Sequence, residues 1–509
     1  MAFGYRPVDR DQMMLLPPDL RDWLPPGHFV WFLLAVLEEA DLTGFEADRR
    51  LGSVGRQGYE PRMLLGLLIY GYAHGQRSSR RIEELCSTDV AFRVICAQDP
   101  PDHTTIARFR QTHDAAIAGL FRQMLELAGE AGLGRVGVVA VDGTRIDANA
   151  SWGRNRRRSW LAEQVDQMMA EAERVDAEED DRFGPEANGG HVDPEWAAGS
   201  ATRQQRIREA WARAEQTAEQ QTAEQQARVA SWQARADQAA DRLATVRAAA
   251  TEKYQDYQRR DAAAQQGARP RPQGRPTPPP DQAFGVRRAE ASLNQLQTRV
   301  DQAVAAAATA RAAKDPAVNL TDPDSGWMPT PKGWIQGYNT QLAVSDDQIV
   351  LAVKVTSATG DMDQFEPMMN AAVAAAAVLD RGRARVGAAS EPVGLLLADA
   401  GYLTEHNLSV TGPDRLIGTG KRGRLEAAAR AGRPTRRKSP LIEQMSRRLA
   451  TPDGITAYRR RGVTVEPVNG HLKDRHGLRQ FSRRGQPACQ AEAELTAATA
   501  NLLKIWRRR

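Results

Sequence analysis

The chain has 509 residues, of which 69 are Lys or Arg and 64 are Asp or Glu, so its net charge is only +5. This length leaves room for two or three domains, and the modest charge means that any nucleic-acid surface must be a local patch. Three cysteines without a CxxC pair exclude a disulfide framework and a typical zinc site, and favour a reducing compartment. The longest apolar runs, at 29–37 and 63–73, are too short to span a membrane, and the first residues lack the layout of a signal peptide.

Residues 1–130 are predicted to be helical. Apolar residues recur at helical spacing over 29–42, 62–73 and 80–95, and Asp102 offers a cap for a further helix. Short helices that carry arginines between polar turns are typical of helix-turn-helix DNA readers, although a plain helical domain with solvated arginines fits the same pattern. The arginines concerned are Arg80, Arg81, Arg93, Arg108 and Arg110.

Residues 152–326 differ in composition from both flanking regions, being rich in Ala, Gln, Arg and Glu and poor in other aliphatic residues. Helix formers dominate 199–262 and 287–314, whereas the proline-rich stretch near 267–285 cannot continue a helix. The pattern predicts a long α-helical, coiled-coil-like insertion of two helices joined by a proline-rich loop, although its five-residue repeat does not fit heptads. The acidic run at 176–190 is typical of a loop or a disordered segment.

β-Strand patterns occur on both sides of this insertion. Before it, the valine-rich run VGVVAVD ends at Asp142, and after it an apolar run ends at Asp399. Without the insertion the remaining elements form a compact α/β domain, and open α/β sheets place their sites at the carboxyl ends of the strands. The predicted elements are strands at 136–142, 337–345, 348–358, 393–402 and 415–418, and helices at 363–378 and 404–410.

Asp142 taken alone permits other interpretations. The Asp142-Gly143 dipeptide is a common β-hairpin turn. The phrase VVAVDGT also resembles the opening of haloacid-dehalogenase-type phosphatases, but their nucleophilic aspartate is missing because Ala140 stands in its place. Two strand-end aspartates make a weak metal site, so a third carboxylate is needed to strengthen the case for one.

The last hundred residues contain a candidate for that third carboxylate. Glu466 precedes Pro467, and because proline favours the first turn of a helix, we expect a helix to begin at Glu466. Lys473 lies seven residues on, about two turns, and therefore nearly above Glu466 on the same face. An acid among many cations suits a site where a carboxylate holds a metal ion and the cations hold phosphates. The cations are Arg459, Arg460, Arg461, Lys473, Arg475 and Arg479.

These residues resemble the DDE triad and the Tyr-Arg-Glu-Lys signature of IS4-like transposases, with an Arg-to-Glu gap one residue longer than usual. The triad residues are Asp142, Asp399 and Glu466, and the signature residues are Tyr458, Arg461, Glu466 and Lys473. The chain is similar to the IS1182 family of bacterial insertion-sequence transposases over nearly all its length outside the insertion, except that Asn469 stands where an aromatic residue is usual. The similar phrases include FGYRPVDRDQ, YEPRMLLGLLIYGYAHG, VVAVDGTRIDANAS, IQGYNTQLAV, LLLADAGYLTEHNL and VEPVNGHLKDRHGLRQFSRRG.

The resemblance implies a DNA transposase of the α/β class. Its RNase H-like catalytic core, at 131–151 and 327–509, would be interrupted by the helical insertion at 152–326 and preceded by an all-α DNA-binding region at 1–130. The implied reaction is divalent-metal-dependent strand cleavage at the insertion-sequence ends, followed by strand transfer into target DNA. Two Mg²⁺ ions, for which Mn²⁺ can substitute, would be held by three carboxylates. Asp142 would bridge both ions, and Asp399 and Glu466 would hold one ion each.

The implied partners are double-stranded DNA, both as terminal inverted repeats and as target, and a second copy of the chain in the DNA complex. The protein is expected in the bacterial cytoplasm, at the nucleoid, without membrane association. The alternative is a catalytically inactive DNA-binding or bridging protein derived from a transposase. The residues expected to contact DNA are Tyr458, Arg461 and Lys473 near the cleaved end, Arg475 close to them in sequence, and Arg80, Arg81, Arg108 and Arg110 in the N-terminal region.

For several other polar and aromatic residues, the sequence favours roles outside the catalytic centre. Asp147 is expected in a turn or cap, and Asp361 and Asp363 are expected to cap a helix. Core packing is favoured over base stacking for Trp327 and Trp334. Surface positions or phosphate contacts, rather than metal ligation, are expected for His406, His471 and His476. The basic run at 421–438 is interpreted as a phosphate-contacting loop, with a solvated loop as the alternative.

Overall fold

The computed structural model describes residues 19–46, 58–183, 194–266, 276–313, 315–331, 333–432 and 439–508. The chain divides into two compact units. One unit comprises Met1–Arg154 and Thr321–Arg509, and the other comprises Asn155–Leu320. Four segments singled out in the sequence lie wholly or partly outside the described residues, namely the phrase at 3–12, the acidic run from 184 to 190, the proline-rich stretch from 267 to 275 and the basic run from 433 to 438.

Helices precede the first strand, as the helical periodicity predicts. Local sequence explains where several of them begin. Asp89 and Asp102 each accept two backbone N–H bonds at a helix N-terminus, and Pro61 occupies the first turn of another helix. Their apolar faces are buried together in one core, which also takes in the sheet. In the described residues these helices are α1 (Phe29–Glu39), α2 (Thr43–Glu46), α3 (Pro61–Ala73), α4 (Ser79–Thr88), α5 (Val90–Ile95), α6 (His103–Thr112) and α7 (Asp114–Glu130).

Strands in the described residues are β1 (Val138–Asp147), β2 (Asn155–Arg157), β3 (Ala317–Asn319), β4 (Gly326–Thr330), β5 (Gly333–Ser345), β6 (Val350–Thr356), β7 (Leu395–Ala398) and β8 (Asp414–Ile417). A mixed sheet runs in the order β4-β5-β1-β7-β8, and β6 also pairs with β5. β5 is antiparallel to β1, β4 and β6, whereas β7 is parallel to both β1 and β8. The sheet thus joins an antiparallel half to a parallel half, and β1 lies at the boundary.

β1 does not end at Asp142, as the sequence pattern suggested, but continues to Asp147. The reason is its long antiparallel partner, because β5 pairs with β1 from Val139 as far as Asp147. Gly143 lies opposite Gln341 in this ladder, so the Asp142-Gly143 dipeptide forms no hairpin turn. The parallel partner β7 stops earlier, since its last pair with β1 is at Ala140. Asp142 therefore lies mid-strand, yet just beyond the point where the parallel pairing ends.

Helices after the insertion cover the sheet and complete the first unit. Small residues let α7 approach the first of these helices closely: a Cβ at Gly382 would lie only 1.9 Å from the Glu126 carbonyl oxygen, and one at Gly129 only 2.2 Å from that of Leu379. Those described are α11 (Phe365–Arg385), α12 (Glu405–Ser409), α13 (Arg422–Ala431), α14 (Pro440–Leu449), α15 (Pro452–Thr464), α16 (Glu466–Asp474) and α17 (Gln486–Arg508).

The second unit contains the long helices of the insertion, α8 (Arg158–Phe183), α9 (Pro194–Gln265) and α10 (Phe284–Ala313). The sequence predicted α9 and α10 but not α8, which extends into the acidic run expected to be a loop. Glutamate and alanine favour helices, and this explains the continuation to residue 183. α8 and α9 share a small core that includes Leu161 and Ile207, whereas α9 and α10 are joined by contacts such as the Arg247–Glu290 ion pair. The predicted coiled-coil character stays a prediction.

The structure also bears on the predictions about the cysteines and about membrane-spanning segments. Cys86, Cys96 and Cys489 are buried and free, so they form no disulfide. Among the described helices, those of sufficient length lack an apolar stretch that could cross a bilayer.

Candidate active site

Asp142 is brought to a polar site by an apolar strand. The four residues before it on β1 are buried in the core, whereas its own side chain remains 17% exposed. Asn469 Nδ2 donates a 3.1 Å hydrogen bond to one carboxylate oxygen, Oδ2. An Arg461 nitrogen, Nη1, lies 3.4 Å from the other oxygen, Oδ1. Asn469, the one departure from the family phrases, is thus a direct partner of this carboxylate.

Asp399 follows the last residue of β7 and caps the short 3₁₀ turn at Ala400–Tyr402. Its Oδ1 accepts a 2.7 Å hydrogen bond from the backbone N–H of Gly401. A Cβ at Gly401 would lie 2.9 Å from that oxygen and 3.2 Å from Oδ2 of Asp361. Glycine at this position therefore allows two carboxylates to approach the same turn of backbone.

Glu466 begins α16, with Pro467 in the first turn as the sequence predicts. Its side chain is 57% exposed, and its Oε1 lies 3.5 Å from Nη2 of Arg461 on α15. The two guanidinium nitrogens of Arg461 thus face two different acids, Asp142 and Glu466. Acids from three distant parts of the chain are brought to one region, and one arginine lies between two of them.

A fourth acid, Asp361, belongs to the same region and was missed by sequence reasoning, which assigned it to helix capping. It precedes a 3₁₀ turn, but its side chain makes no capping bond. Instead Asn339 and Gln341 on β5 donate hydrogen bonds of 2.7 and 2.8 Å to Asp361 Oδ1, and Arg145 Nη1 lies 3.5 Å from it. A signal was present, because polar residues two apart on a strand lie on the same face, and both are fully buried.

The pKa of Asp142 is sensitive to the neighbouring acids. Burial, the largest effect, and the negative charges of Asp399, Asp361 and Glu466 together raise the pKa of Asp142 to about 6, against the opposing effect of Arg461. For Arg461 the order of causes is similar: burial lowers its pKa, but Asp142, Tyr458 and other neighbouring acidic groups more than reverse this. The site therefore holds more negative charge than Arg461 alone offsets.

A cleft of about 260 Å³ opens beside these acids. Asp399, Glu466, Tyr458 and Arg461 line it, together with Lys421 from the basic run. Burial raises the pKa of the Tyr458 hydroxyl, which therefore stays protonated near neutral pH. Three of the four signature residues, Tyr458, Arg461 and Glu466, thus line one cleft together with a lysine from outside the signature.

Lys473 and Arg475 occupy different sides of α16. Burial lowers the pKa of the Lys473 ammonium, as does Arg479, while Asp147 and Asp142 raise it, so Lys473 faces the acids. Arg475 instead lines a separate cleft with residues of α17. Arg475 therefore lies away from the acids that Lys473 faces, since two residues on a helix turn the side chain by about 200°, and its contact with DNA stays a prediction.

The tryptophans and histidines are placed differently from expectation in three cases. Trp327 on the edge strand β4 and Trp334 at the start of β5, both expected in the core, are 46% and 56% exposed. His476, expected at the surface or on phosphate, is buried, and its Nδ1 lies 3.0 Å from the Tyr72 carbonyl oxygen. His406 lies at the surface as expected, 2.7 Å from Glu366.

Carboxylate oxygens are the ligands that magnesium prefers, and four of the groups in this region are carboxylates. In the part of the chain that the structure describes, no three His, Cys, Asp or Glu side chains are close enough together to hold a metal ion. Arg461 holds the position between Asp142 and Glu466 instead. Carboxylate oxygens of this kind fit a divalent cation. The observation that supports the fit is the negative charge of the acids around Asp142, which Arg461 does not fully offset.

The four N-terminal arginines that are expected to contact DNA differ in their surroundings. Arg80 at the start of α4 and Arg108 on α6 line one groove of about 490 Å³ with the N-terminal residues of α4. Arg81 forms a surface ion pair with Glu84, one turn further along α4. Arg110 is buried, and its Nη1 donates to the Tyr72 hydroxyl and to the Arg77 carbonyl oxygen. Arg110 therefore has a structural role, which corrects its place in the predicted DNA-binding set.

Two protein-family models match the chain. A transposase domain (DUF772) matches residues 18–112, and a transposase DDE domain matches residues 427–506. The first match contains the groove of Arg80 and Arg108, and the second contains Glu466 and the rest of the signature. No curated protein and no solved structure matches. The two matched segments are transposase domains, and both matches are consistent with an IS1182-family DDE transposase.

Proposed function

We propose that this protein is a DNA transposase that cleaves the strands at insertion-sequence ends and joins them to target DNA by two-metal phosphoryl transfer. The observation that carries the proposal is the convergence of Asp142, Asp399 and Glu466 from three distant segments. Their mutual repulsion in a partly buried site makes a bound cation favourable, as the raised pKa of Asp142 indicates. The two transposase domain matches support the same reaction class.

Asp142, Asp399 and Glu466 are the residues that would hold Mg²⁺ or Mn²⁺. When bound, a pair of such ions supplies an activated water or 3′-hydroxyl and stabilises the leaving oxygen. The protein's own contribution is positional. Gly401 N–H fixes the Asp399 carboxylate, and Asn469 fixes that of Asp142, so both present defined oxygens. Asp361, held by Asn339 and Gln341, supports the site from β5 as a positioning residue.

The cations that lie beside the acids would bind the phosphates of DNA. Arg461 lies 18% exposed between the carboxylates, and its planar guanidinium suits two parallel bonds to a phosphate. Lys421 shares its cleft, and Lys473 faces the acids from α16. Tyr458 adds a neutral hydroxyl donor. The groove of Arg80 and Arg108 would hold a backbone phosphate elsewhere on the duplex, because the N-terminus of α4 adds backbone N–H donors there.

The domain assignment belongs to the same proposal. Residues 131–151 and 327–509 form an RNase H-like core, residues 1–130 a helical DNA-binding region and residues 152–326 an insertion. The mixed sheet supports this core, since β1 and β7 deliver Asp142 and Asp399 to the edge where their parallel pairing ends. Transposases act on paired ends, so we expect a homodimer in the DNA complex. A chromosomal DNA substrate would place the protein at the bacterial nucleoid.

Cleavage of end-containing DNA tests the proposal. Labelled duplexes from the DNA that flanks the reading frame would be incubated with the protein and Mg²⁺ or Mn²⁺, with Asp142→Asn as the matched control. Nicks at one fixed position that need the metal and vanish in the variant would support the transposase. Equal binding without cleavage by both proteins would favour the alternative, an inactive DNA-bridging protein.

A further inference from the structure

A second cleft, of about 460 Å³, lies behind α16. Its walls are α16, the C-terminal part of α17 and the turn between β5 and β6. None of the three family acids lines it, and neither does Lys473. We call it the α16–α17 cleft. It is distinct from the cleft of Tyr458 and Arg461 and has no place in the chemistry proposed above.

The helical geometry of α16 separates the two clefts. At about 100° per residue, Glu466, Asn469 and Lys473 fall within about 60° of one another. His471 and Arg475, which line the α16–α17 cleft, fall on the opposite side of the helix. The helix that carries Glu466 to the acids therefore presents its other face to this cleft.

Basic side chains line the α16–α17 cleft. His471 comes from α16, Arg475 follows its last residue, and Lys504 and Arg507 come from α17. Among the described residues, none of these four side chains forms an ion pair with a carboxylate. Lys504 Nζ is half-buried and donates to Gln348 Oε1 over 3.2 Å. Gln348 is fixed in turn, because its Nε2 donates to the Val463 carbonyl oxygen.

One acid, Asp347, lies in the wall of the cleft, and both of its carboxylate oxygens accept hydrogen bonds from other groups. Asp347 Oδ2 accepts from the backbone N–H of Gly134 over 3.0 Å, and Oδ1 accepts from that of Arg135 over 3.0 Å and from the Ser345 hydroxyl over 2.7 Å. These bonds tie the β5–β6 turn to the segment before β1. Asp347 therefore serves the fold, and its negative charge acts on Lys504 without forming an ion pair with it.

The basic side chains of the cleft act on one another. Burial lowers the pKa of Lys504, and Arg507 acts in the same direction, against a larger opposing effect of Asp347. Burial lowers the pKa of His471 too, and Arg475, Lys504 and Arg507 act in the same direction. Basic residues at the C-terminus of a helix are favourable in general, which would account for Arg507 at the end of α17 and for His471 and Arg475 at the end of α16. That effect does not explain why Lys504 is half-buried in the cleft beside them.

We propose that the α16–α17 cleft binds a phosphate of the DNA backbone, an inference that rests on the proposed function. Arginine and lysine are the side chains that hold phosphates in protein–DNA complexes. The cleft is open, since His471, Arg475 and Arg507 are exposed, and a polymer backbone can reach them where an enclosed pocket would admit only a small molecule. Because the α16–α17 cleft lies behind α16, this helix would contact DNA on one face and the carboxylates of the candidate active site on the other.

Salt-dependent DNA binding tests the inference. The full chain, the double variant Arg475→Gln/Lys504→Gln and the exposed single variant Arg507→Gln would be titrated with labelled duplex DNA over a range of NaCl concentrations. Loss of one phosphate contact should make the slope of log affinity against log salt shallower by about one. At low salt the double variant should bind about tenfold more weakly. The matched control, Arg288→Gln, removes an exposed arginine from α10 and should leave slope and affinity unchanged.

The outcomes separate the inference from the proposed function. Wild-type protein that binds duplex DNA, with an unchanged slope in the cleft variants, would overturn this inference alone. Wild-type protein that binds no duplex would overturn both. Inorganic phosphate and pyrophosphate form a second arm. If they raise the melting temperature of wild type but not of the cleft variants, while DNA binding is equal in all, the cleft is a small-anion site and the inference fails. Unaltered folding of Arg507→Gln keeps the test valid, because that side chain is exposed.

Discussion

The two faces of α16 carry opposite charge imbalances. The face of Glu466 and Asn469 meets carboxylates, and burial with neighbouring acids raises the pKa of Asp142. The face of His471 and Arg475 meets basic residues, and burial, aided by Arg507, lowers the pKa of Lys504 in spite of Asp347. On neither face is the counter-charge large enough to restore the ordinary pKa of the buried group. We infer that both faces are built for ligands, a divalent cation on one and a phosphate on the other.

The faces also differ in how firmly the chain holds them. Asp142 is set by a buried strand paired on both sides, and Asp399 is set by a backbone N–H. Arg475 and Arg507 extend from helix ends into solvent. Chemistry at a scissile bond needs fixed oxygens, whereas a phosphate contact tolerates flexible cations. Changes on the acidic face should therefore affect cleavage strongly, and changes on the basic face should affect DNA binding and stability more gently.

The largest expected effect is from Asp399→Asn. Loss of this carboxylate should lower the rate of DNA cleavage by more than about a hundredfold, because even partners of metal ligands commonly contribute ten- to a hundredfold. Strand cleavage at saturating DNA measures this effect. Asp363→Asn is the matched control, an exposed aspartate on the neighbouring 3₁₀ turn, and should cleave normally. Equal rates for both variants would remove Asp399 from the site.

Asn469→Ala should lower cleavage by about ten- to a hundredfold without weakening DNA binding. The reason is that Asn469 Nδ2 orients the Asp142 carboxylate over 3.1 Å. His471→Ala, on the opposite face of the same helix, should leave the cleavage rate at saturating DNA unchanged. Reversal of these two results would show that the faces of α16 are assigned the wrong way round.

Acid should destabilise the protein through His476, which lies in the wall of the α16–α17 cleft. Burial lowers its pKa in the folded state below the ordinary histidine value of 6.5. As pH falls through about 6.5, the unfolded state therefore binds the proton first, and the free energy of unfolding drops by up to about 1.4 kcal/mol per pH unit. Urea denaturation at several pH values should show a shallower pH dependence in His476→Gln. An identical dependence in both proteins would contradict this role.

The smallest expected effect is a gain in stability from Lys504→Met. Removal of a half-buried ammonium without a carboxylate partner should raise the free energy of unfolding by about 0.5 kcal/mol, a small value because the group is partly solvated. Thermal unfolding should show a rise of about 1–2 °C. The same variant should bind DNA more weakly. A fall in the melting temperature would mean that Lys504 stabilises the fold, and the charge imbalance of the cleft would lose its support.

Local patterns in the sequence predicted much of the architecture. Helical periodicity before residue 130, the strands that carry Asp142 and Asp399, and the start of α16 at Glu466 all follow from spacing, β-propensity and proline. The length of β1 did not, because it depends on pairing with β5 from beyond the insertion. α8 was missed because an acidic composition indicates solvation without excluding a helix.

Side-chain surroundings were harder to predict than the elements. Asp361 was assigned to a cap because its true partners, Asn339 and Gln341, lie on another strand. Arg110 was grouped with DNA-binding arginines, since sequence does not tell which side of α6 faces the core. The same limit applied to Arg475. A residue's type predicts the chemistry available to it, but only the packed structure shows which groups it meets.

Binding of Mn²⁺ tests the central claim most directly, because it asks whether the acids form one metal centre without requiring cognate DNA ends. The full chain and Asp142→Asn would be titrated with Mn²⁺ by calorimetry, with Asp363→Asn as the control. We expect wild type and Asp363→Asn to bind Mn²⁺ saturably. In Asp142→Asn, this binding should be abolished or greatly weakened. Identical binding by all three proteins, or none by any, would contradict a metal centre built on Asp142.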